Sequence, residues 1–245
     1  GALIEPAPRV EGIHWSSTMD RRTLLALAAA LVAAGAAPGA HALSLADLTD
    51  ADASKGLKAA LEKGAIAAVG KLGAQDGFLG NPKVKIPLPG FLEDASQIAR
   101  MLGMGRQLDE LVVSMNRAAE AAVPQARQML VDAVRTMTLS DAKKILTGGE
   151  TSVTEFFRGR TEKPLFEKFL PIVTKTTSSV GLARRYNDLV GRLPVGGSAT
   201  RIEDHVTAKA LDGLYTVIGQ EEIAIRRDPV GAGSDAIRKV FGALK

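Results

Sequence analysis

From about Ala51 to Leu72 the apolar residues Leu57, Leu61, Ala65, Ala68 and Leu72 return every three or four positions. That spacing places them on one face of an α-helix. Lys58 and Glu62 stand four apart on the other side, and Gly73 and Gly77 end the run. The same period predicts a helix from about Leu92 to Leu102, closed by Gly103 and Gly105, and another from Arg106 to about Ala122. The inward face of the latter is Leu108, Leu111, Val112, Met115, Ala119 and Ala122. Pro124 opens a further helix with Ala126, Met129, Leu130, Ala133, Val134 and Met137 inward. Thr138 and Asp141 form a capping pair for a short helix ending at Leu146.

Thr151 or Ser152 then caps a helix containing Phe156 and Phe157. Thr161 and Pro164 are expected to restart the chain, and a break or kink is expected at Pro171 in a helical stretch reaching Val190. Leu193 to Thr200 reads as a loop. A long helix follows from Ile202 to Arg227, stopped by Pro229, and Ser234 caps a last one through Phe241.

One segment departs from the helical period. In Asn81–Pro89, Pro82, Pro87 and Pro89 prevent a helix, and Val84 and Ile86 alternate with Lys83 and Lys85. The segment is read as extended. It is either a connector with Val84 and Ile86 tucked onto the helices or a strand offered to a partner. There is no solenoid repeat and no long polar linker. The pattern therefore predicts an all-α protein, a single multi-helix domain of about eight or nine helices over residues 43–245, with no significant sheet.

The N-terminal portion has a different logic. After Met19 come Arg21 and Arg22, an apolar core from Leu24 to Ala37, a break at Pro38–Gly39, and small residues at Ala40 and Ala42. This is the order of a cleavable signal peptide over 19–42, twin-arginine-like, with cleavage after Ala42. Export to the periplasm is expected. Residues 1–18, interrupted by Pro6, Pro8 and Gly12, read as an unstructured upstream extension, with Met19 as the start. No later stretch approaches the roughly 20 apolar residues of a membrane span, so none is expected after signal removal.

Composition narrows the chemistry. Hydrophobic residues are 46% of the chain and aromatics only 4%, so Ala and Leu fill the core. The net charge of +4 is spread without a basic stripe, which argues against nucleic acid as a partner. The absence of cysteine removes disulfides, thiolate metal sites and cysteine nucleophiles. No P-loop, dinucleotide fingerprint, zinc-protease or nucleophile-elbow motif occurs. His205 is the single histidine of residues 43–245, placed in the first turn of its helix and expected to be exposed. No cofactor, metal or catalytic activity is expected.

Polarity borne on helices supplies the candidate site. Projected at roughly 100° per residue, Leu211, Leu214, Ile218 and Ile225 form the apolar stripe of the Ile202 helix. Glu221 falls inside that stripe and Glu222 at its edge, with Arg226 four residues beyond Glu222. A buried carboxylate must be paired or protonated. Arg226 is the expected partner of Glu222, and Arg158 or Arg160 that of Glu221. The group is either a buried ion pair fixing helix register or the polar centre of a pocket. Asp109, Asn116 and Glu120 form a second polar line flanking an apolar face, read as a solvated flank with local Arg117–Glu120 pairing, Arg117 pointing nearly opposite that face.

Several motifs occur together and in order: D-G-F-L-G-N-P-K-V-K-I-P-L-P, M-N-R-A-A-E-A-A-V-P-Q-A, M-T-L-S-D-A-K-K-I-L-T-G-G, V-T-A-K-A-L-D-G-L-Y, and E-E-x-x-I-R-R-D-P. In this the chain, from Leu45 to Lys245, resembles domain-of-unknown-function family 4197. The resemblance implies an exported all-helical protein of Gram-negative bacteria, and no established activity, ligand or catalytic residue. By motif position its polar signature falls on Lys85, Asn116, Arg117, Glu120, Asp141, Arg158, Glu221, Glu222, Arg226 and Asp228. Tyr215 stands where phenylalanine is expected.

Three functional classes follow. The first is a non-catalytic periplasmic binding or interaction module for an apolar or anionic small ligand or an envelope protein. Glu221, Glu222, Arg226 and Arg158 would orient an apolar cleft, with Asn116, Glu120 and Lys85 as further candidate polar positions. The second is an envelope scaffold or oligomer component using Asn81–Pro89 as its contact arm. The third is an enzyme with Glu221 or Glu222 as general acid or base. N-terminal sequencing of the protein recovered from its native compartment is expected to begin at Leu43; a chain that retains Arg21 and Arg22 would contradict the signal-peptide reading.

Overall fold

The computed structural model describes residues 44–140, 142–192 and 201–244. The extension and signal expected over 1–42, the loop expected over Leu193–Thr200, and Asp141 of the expected capping pair lie outside these residues.

The first long helix starts as its residues dictate. Thr49 Oγ1 accepts the N–H of Asp52 at 3.0 Å, and the Asp52 carboxylate accepts the N–H of Thr49 at 3.4 Å, a reciprocal cap. This cap opens α1 (Asp50–Leu72). In chain order there follow α2 (Gly90–Asp94), α3 (Ser96–Met101), α4 (Gly105–Ala122) and a 3₁₀ turn (Val123–Ala126). Then come α5 (Arg127–Thr136), α6 (Ala142–Leu146), α7 (Ser152–Ser179), α8 (Leu182–Val190), α9 (Ile202–Arg227) and α10 (Asp235–Gly242). The described residues contain no strand. The fold is all-α.

The core is organised on α1 and α9. α1 packs on α9, α10 and α5, and α9 packs on α7 and α4. A Cβ on Gly56 would meet the Val240 side chain and stand 2.9 Å from the Ala236 carbonyl oxygen, so only glycine allows α1 and α10 this approach. Phe78, Phe157, Phe169 and Phe241 are fully buried among the smaller Ala, Leu and Val residues. No helix of the described residues is long and apolar enough to cross a membrane.

Two helix boundaries differ from expectation. The Leu92–Leu102 stretch is two short helices meeting at Ala95, an arrangement that keeps Leu92, Ala95 and Ala99 all buried. α7 is continuous where Thr161 and Pro164 were expected to restart the chain and Pro171 to break it. Pro164 and Pro171, and the residues four before them, Arg160 and Glu167, are all exposed. The carbonyls that lose their intrahelical donors therefore face water. The chain turns instead at Gly181, whose φ of +66° favours a residue without Cβ.

The Pro-rich segment is a strap bound to its own helices. It opens with a turn, the Asn81 carbonyl accepting the N–H of Val84 at 3.1 Å and of Lys85 at 2.9 Å, so only Lys85–Pro89 is extended. Val84, Ile86 and Leu88 are buried while Lys83, Lys85 and Pro87 are exposed. It is thus a connector with its apolar residues tucked in.

Gly56→Ala is expected to lower stability by about 1–3 kcal/mol through overpacking. Gly70→Ala, where an added Cβ meets nothing within 4 Å, is expected to be neutral or slightly stabilising. Urea unfolding followed by circular dichroism measures both.

Candidate functional site

Glu222 is buried on α9, and its carboxylate acts on another helix. Its carboxylate accepts the N–H groups of Val153 at 3.1 Å and Thr154 at 2.8 Å, and the Thr154 hydroxyl at 2.7 Å. These are the donors that the first turn of α7 leaves without intrahelical acceptors. Arg226, one turn along α9, donates to Glu222 from Nε at 3.0 Å and Nη2 at 2.8 Å. It also donates to the Leu146 carbonyl at 3.0 Å and the Ser152 hydroxyl at 2.9 Å, and its guanidinium lies 5.4 Å from the centre of the Phe241 ring. A carboxylate at the start of α7 and a cation at the end of α6 both match the helix dipoles. The expected Glu222–Arg226 pair is present, and it joins the α6–α7 corner to α9.

Asn116 and Glu120 form a second, separate anchor, on α4. Asn116 accepts the N–H of Ile86 at 2.8 Å and donates to the Ile86 carbonyl at 2.9 Å, so one amide satisfies both backbone groups of a strap residue. Glu120 accepts the N–H groups of Phe78 and Leu79, each at 3.1 Å. Arg117 bridges Glu120 at 2.6 Å and Asp76 at 2.7 Å. The local Arg117–Glu120 pair was expected, but Glu120 is buried and not on a solvated flank. Its partners are backbone groups far along the chain, which periodicity cannot reveal.

The remaining predicted residues are apart from these anchors. Glu221 pairs with Lys71 of α1 at 2.5 Å and not with Arg158 or Arg160. The order expected along the stripe is reversed, since Glu221 is only part-buried while Glu222 is buried. The cation that meets Glu221 comes from α1, a segment that the local spacing of α9 does not reveal. Arg158 pairs with Glu162 at 2.8 Å and Asp212 at 2.5 Å. The bond to Glu162, opposed by some burial and aided by Asp212, raises the pKa of Arg158 above its ordinary value. Lys85 is exposed on the strap, where its charge helps to keep the Asp109 carboxyl below its usual range, after the larger effect of Arg100. His205 is part-buried, its Nε2 2.9 Å from the Pro87 carbonyl, and burial lowers its pKa. Among the described residues no buried side-chain nitrogen or oxygen is without a hydrogen-bond partner, and no His/Asp/Glu cluster could hold a metal.

A large concavity lies elsewhere, between α5 and α7, with a volume of about 920 Å³. One wall is α5 and its flanks, from Gln125 to Ser140, including Met129, Ala133, Thr136 and Met137. The other is the part of α7 carrying Arg160, Thr161, Pro164, Leu165 and Lys168. Positions three and four apart line each wall, so each helix turns one face to the opening. Thr161 donates to the Phe157 carbonyl at 2.6 Å and lies 3.0 Å from the Tyr215 hydroxyl. Burial, only partly offset by that bond, pushes the Tyr215 phenol up to about 12. Of the seven residues singled out from sequence, none lines this cleft.

Comparison with known families adds one match, to the family described as "Protein of unknown function (DUF4197)", over residues 47–242. The chain belongs to the DUF4197 family. No curated protein and no solved structure matches it. The DUF4197 domain thus combines two buried polar anchors with an open cleft that shares no residue with either. Met129, Ala133 and Met137 had been read as inward-facing, correctly in direction, but a cleft wall and a core face carry the same helical period.

Glu222→Ala is expected to cost about 3 kcal/mol, because it strands Arg226 and two N–H groups at the start of α7. Lys71→Ala, which removes an exposed partner of Glu221, should cost less than about 1 kcal/mol. Chemical denaturation compares the two, and equal losses would contradict the assignment of Glu222 as the structural clamp.

Proposed function

We propose that this DUF4197 protein is an exported, non-catalytic binding module whose ligand enters the cleft between α5 and α7. The cleft volume of about 920 Å³ carries the reading. It lies within the size range of small-molecule sites, and it is set on helices rather than on a long loop. The ligand-orienting role expected for Glu221, Glu222, Arg226 and Arg158 passes in this reading to Arg160 and Lys168, which line the opening. Periplasmic placement, in the envelope of a Gram-negative bacterium, is supported by Arg21–Arg22, the apolar run to Ala37 and the small residues at Ala40 and Ala42.

The other two classes are less well supported. The strap that would serve a scaffold as its arm is engaged by Asn116 and His205 of the same chain. A general base needs a carboxylate free to take a proton from substrate. Glu222 is committed to α7 and Arg226, and Glu221 to Lys71.

The test is a thermal-shift screen of the protein against small molecules grouped by chemistry. A true ligand at a hundred times its Kd is expected to raise Tm by about 5–10 °C. The shift should disappear in Thr136→Trp and Ala133→Trp, which fill the cleft from its rim and its wall. A screen with no stabilising class, or a shift unaffected by both variants, contradicts the proposal.

A further inference from the structure

The chemistry of the cleft lining narrows the ligand class, an inference that rests on the cleft being the binding site. Met129, Ala133 and Met137 recur at intervals of four on the α5 side, with Leu165 on α7 opposite, so an apolar strip runs along the opening. Methionine adapts to the shape of an apolar guest. None of the described lining residues is aromatic, so among them the platforms on which bases are stacked are missing. What remains suits an unbranched apolar chain.

The polar lining has a sign. Arg160 and Lys168 stand eight residues apart on one wall, about 12 Å along the helix axis. Neither is within ion-pair distance of a carboxylate among the described residues, whereas Arg158 of the same helix is doubly paired. Arg160 is also held in place, its guanidinium 5.4 Å from the centre of the Phe156 ring, which reduces the ordering that binding must impose. The acid in the described lining, Asp132, is on the opposite wall and already accepts a hydrogen bond from Gln128 at 2.8 Å. Hydroxyls of Thr138 and Ser140 add neutral donors to that side, while the Thr136 hydroxyl already donates to the Asp132 carbonyl at 2.8 Å.

We infer that the DUF4197 cleft takes a single-chain anionic amphiphile. Its carboxylate or phosphate head lies against the Arg160–Lys168 wall, and its alkyl chain lies along Met129, Ala133, Met137 and Leu165. Both head types share the chemistry that the wall recognises, a compact oxyanion accepting charge-assisted hydrogen bonds.

Methionine-methyl NMR and calorimetry on the same protein test this with four probes: decanoate and decyl phosphate below their micelle concentrations, 1-decanol below its solubility limit, and inorganic phosphate. Decanoate or decyl phosphate, or both, should bind and move the methyl signals of Met129 and Met137; which one binds identifies the head. Met101, 88% exposed at the end of α3, reports adventitious adsorption and should not move. Arg160→Gln with Lys168→Gln should weaken binding about tenfold or more, while leaving the fold intact because neither cation has a carboxylate partner to strand. 1-Decanol bound as tightly as decanoate, or inorganic phosphate bound as tightly as decyl phosphate, overturns the inference. So does movement of Met101 in place of Met129 and Met137. If no amphiphile binds but another class from the thermal screen does, and Thr136→Trp abolishes it, the cleft stands and the ligand class falls. If nothing binds at the cleft, both fall.

Discussion

Backbone groups at the ends and between the helices have to find partners, and in this protein side chains from the long helices supply them. Glu222 of α9 is the clearest case. The first turn of any helix leaves N–H groups without acceptors, and burying them unsatisfied costs more than the bond itself gains. A carboxylate meets two of them at once and matches the dipole of α7. Arg226 then neutralises the carboxylate and occupies the last carbonyl of α6. Five residues of α6 cannot sustain a helix alone, and this tether to α9 holds its C-terminal end.

The strap obeys the same constraint. An extended segment with no strand beside it must find other partners for its N–H and C=O groups. Asn116 provides an amide in place of a neighbouring strand at Ile86, and His205 reaches the carbonyl of Pro87, a residue with no N–H of its own. Glu120 does the same for the turn before the strap. Of the polar residues that looked like candidates for binding, Glu222, Arg226, Asn116 and Glu120 are therefore engaged in holding connectors and helix ends. Their burial reflects structural necessity, and a ligand would have to compete with the backbone to reach them.

The cleft between α5 and α7 is the complementary feature, a place where helix faces are left open. α5 packs mainly on α1, and its buried residues are Leu130, Val131 and Val134. α7 is held by α9 and α4. With each helix anchored on others, the near faces need not close on one another. Their mixed lining, half-buried methionine and alanine beside threonine, arginine and lysine, suits a surface that alternates between water and a guest.

Helix identity, the absence of sheet and the extended character of Lys85–Pro89 were legible from residue order, because amphipathic period and proline chemistry are local properties; the turn closed on the Asn81 carbonyl was not. The Glu222–Arg226 pair was also legible, since residues four apart on one helix must be neighbours. The Lys71 partner of Glu221, the backbone partners of Asn116 and Glu120, and the continuity of α7 through two prolines were not. Each depends on which distant segment, or whether only water, faces a given side chain. The cleft belongs to the same class: α5 and α7 show one periodic face whether that face meets a core, another helix or an open cavity. Local spacing determined which residues point inward; only the packing of α1, α4 and α9 decided what lies inside.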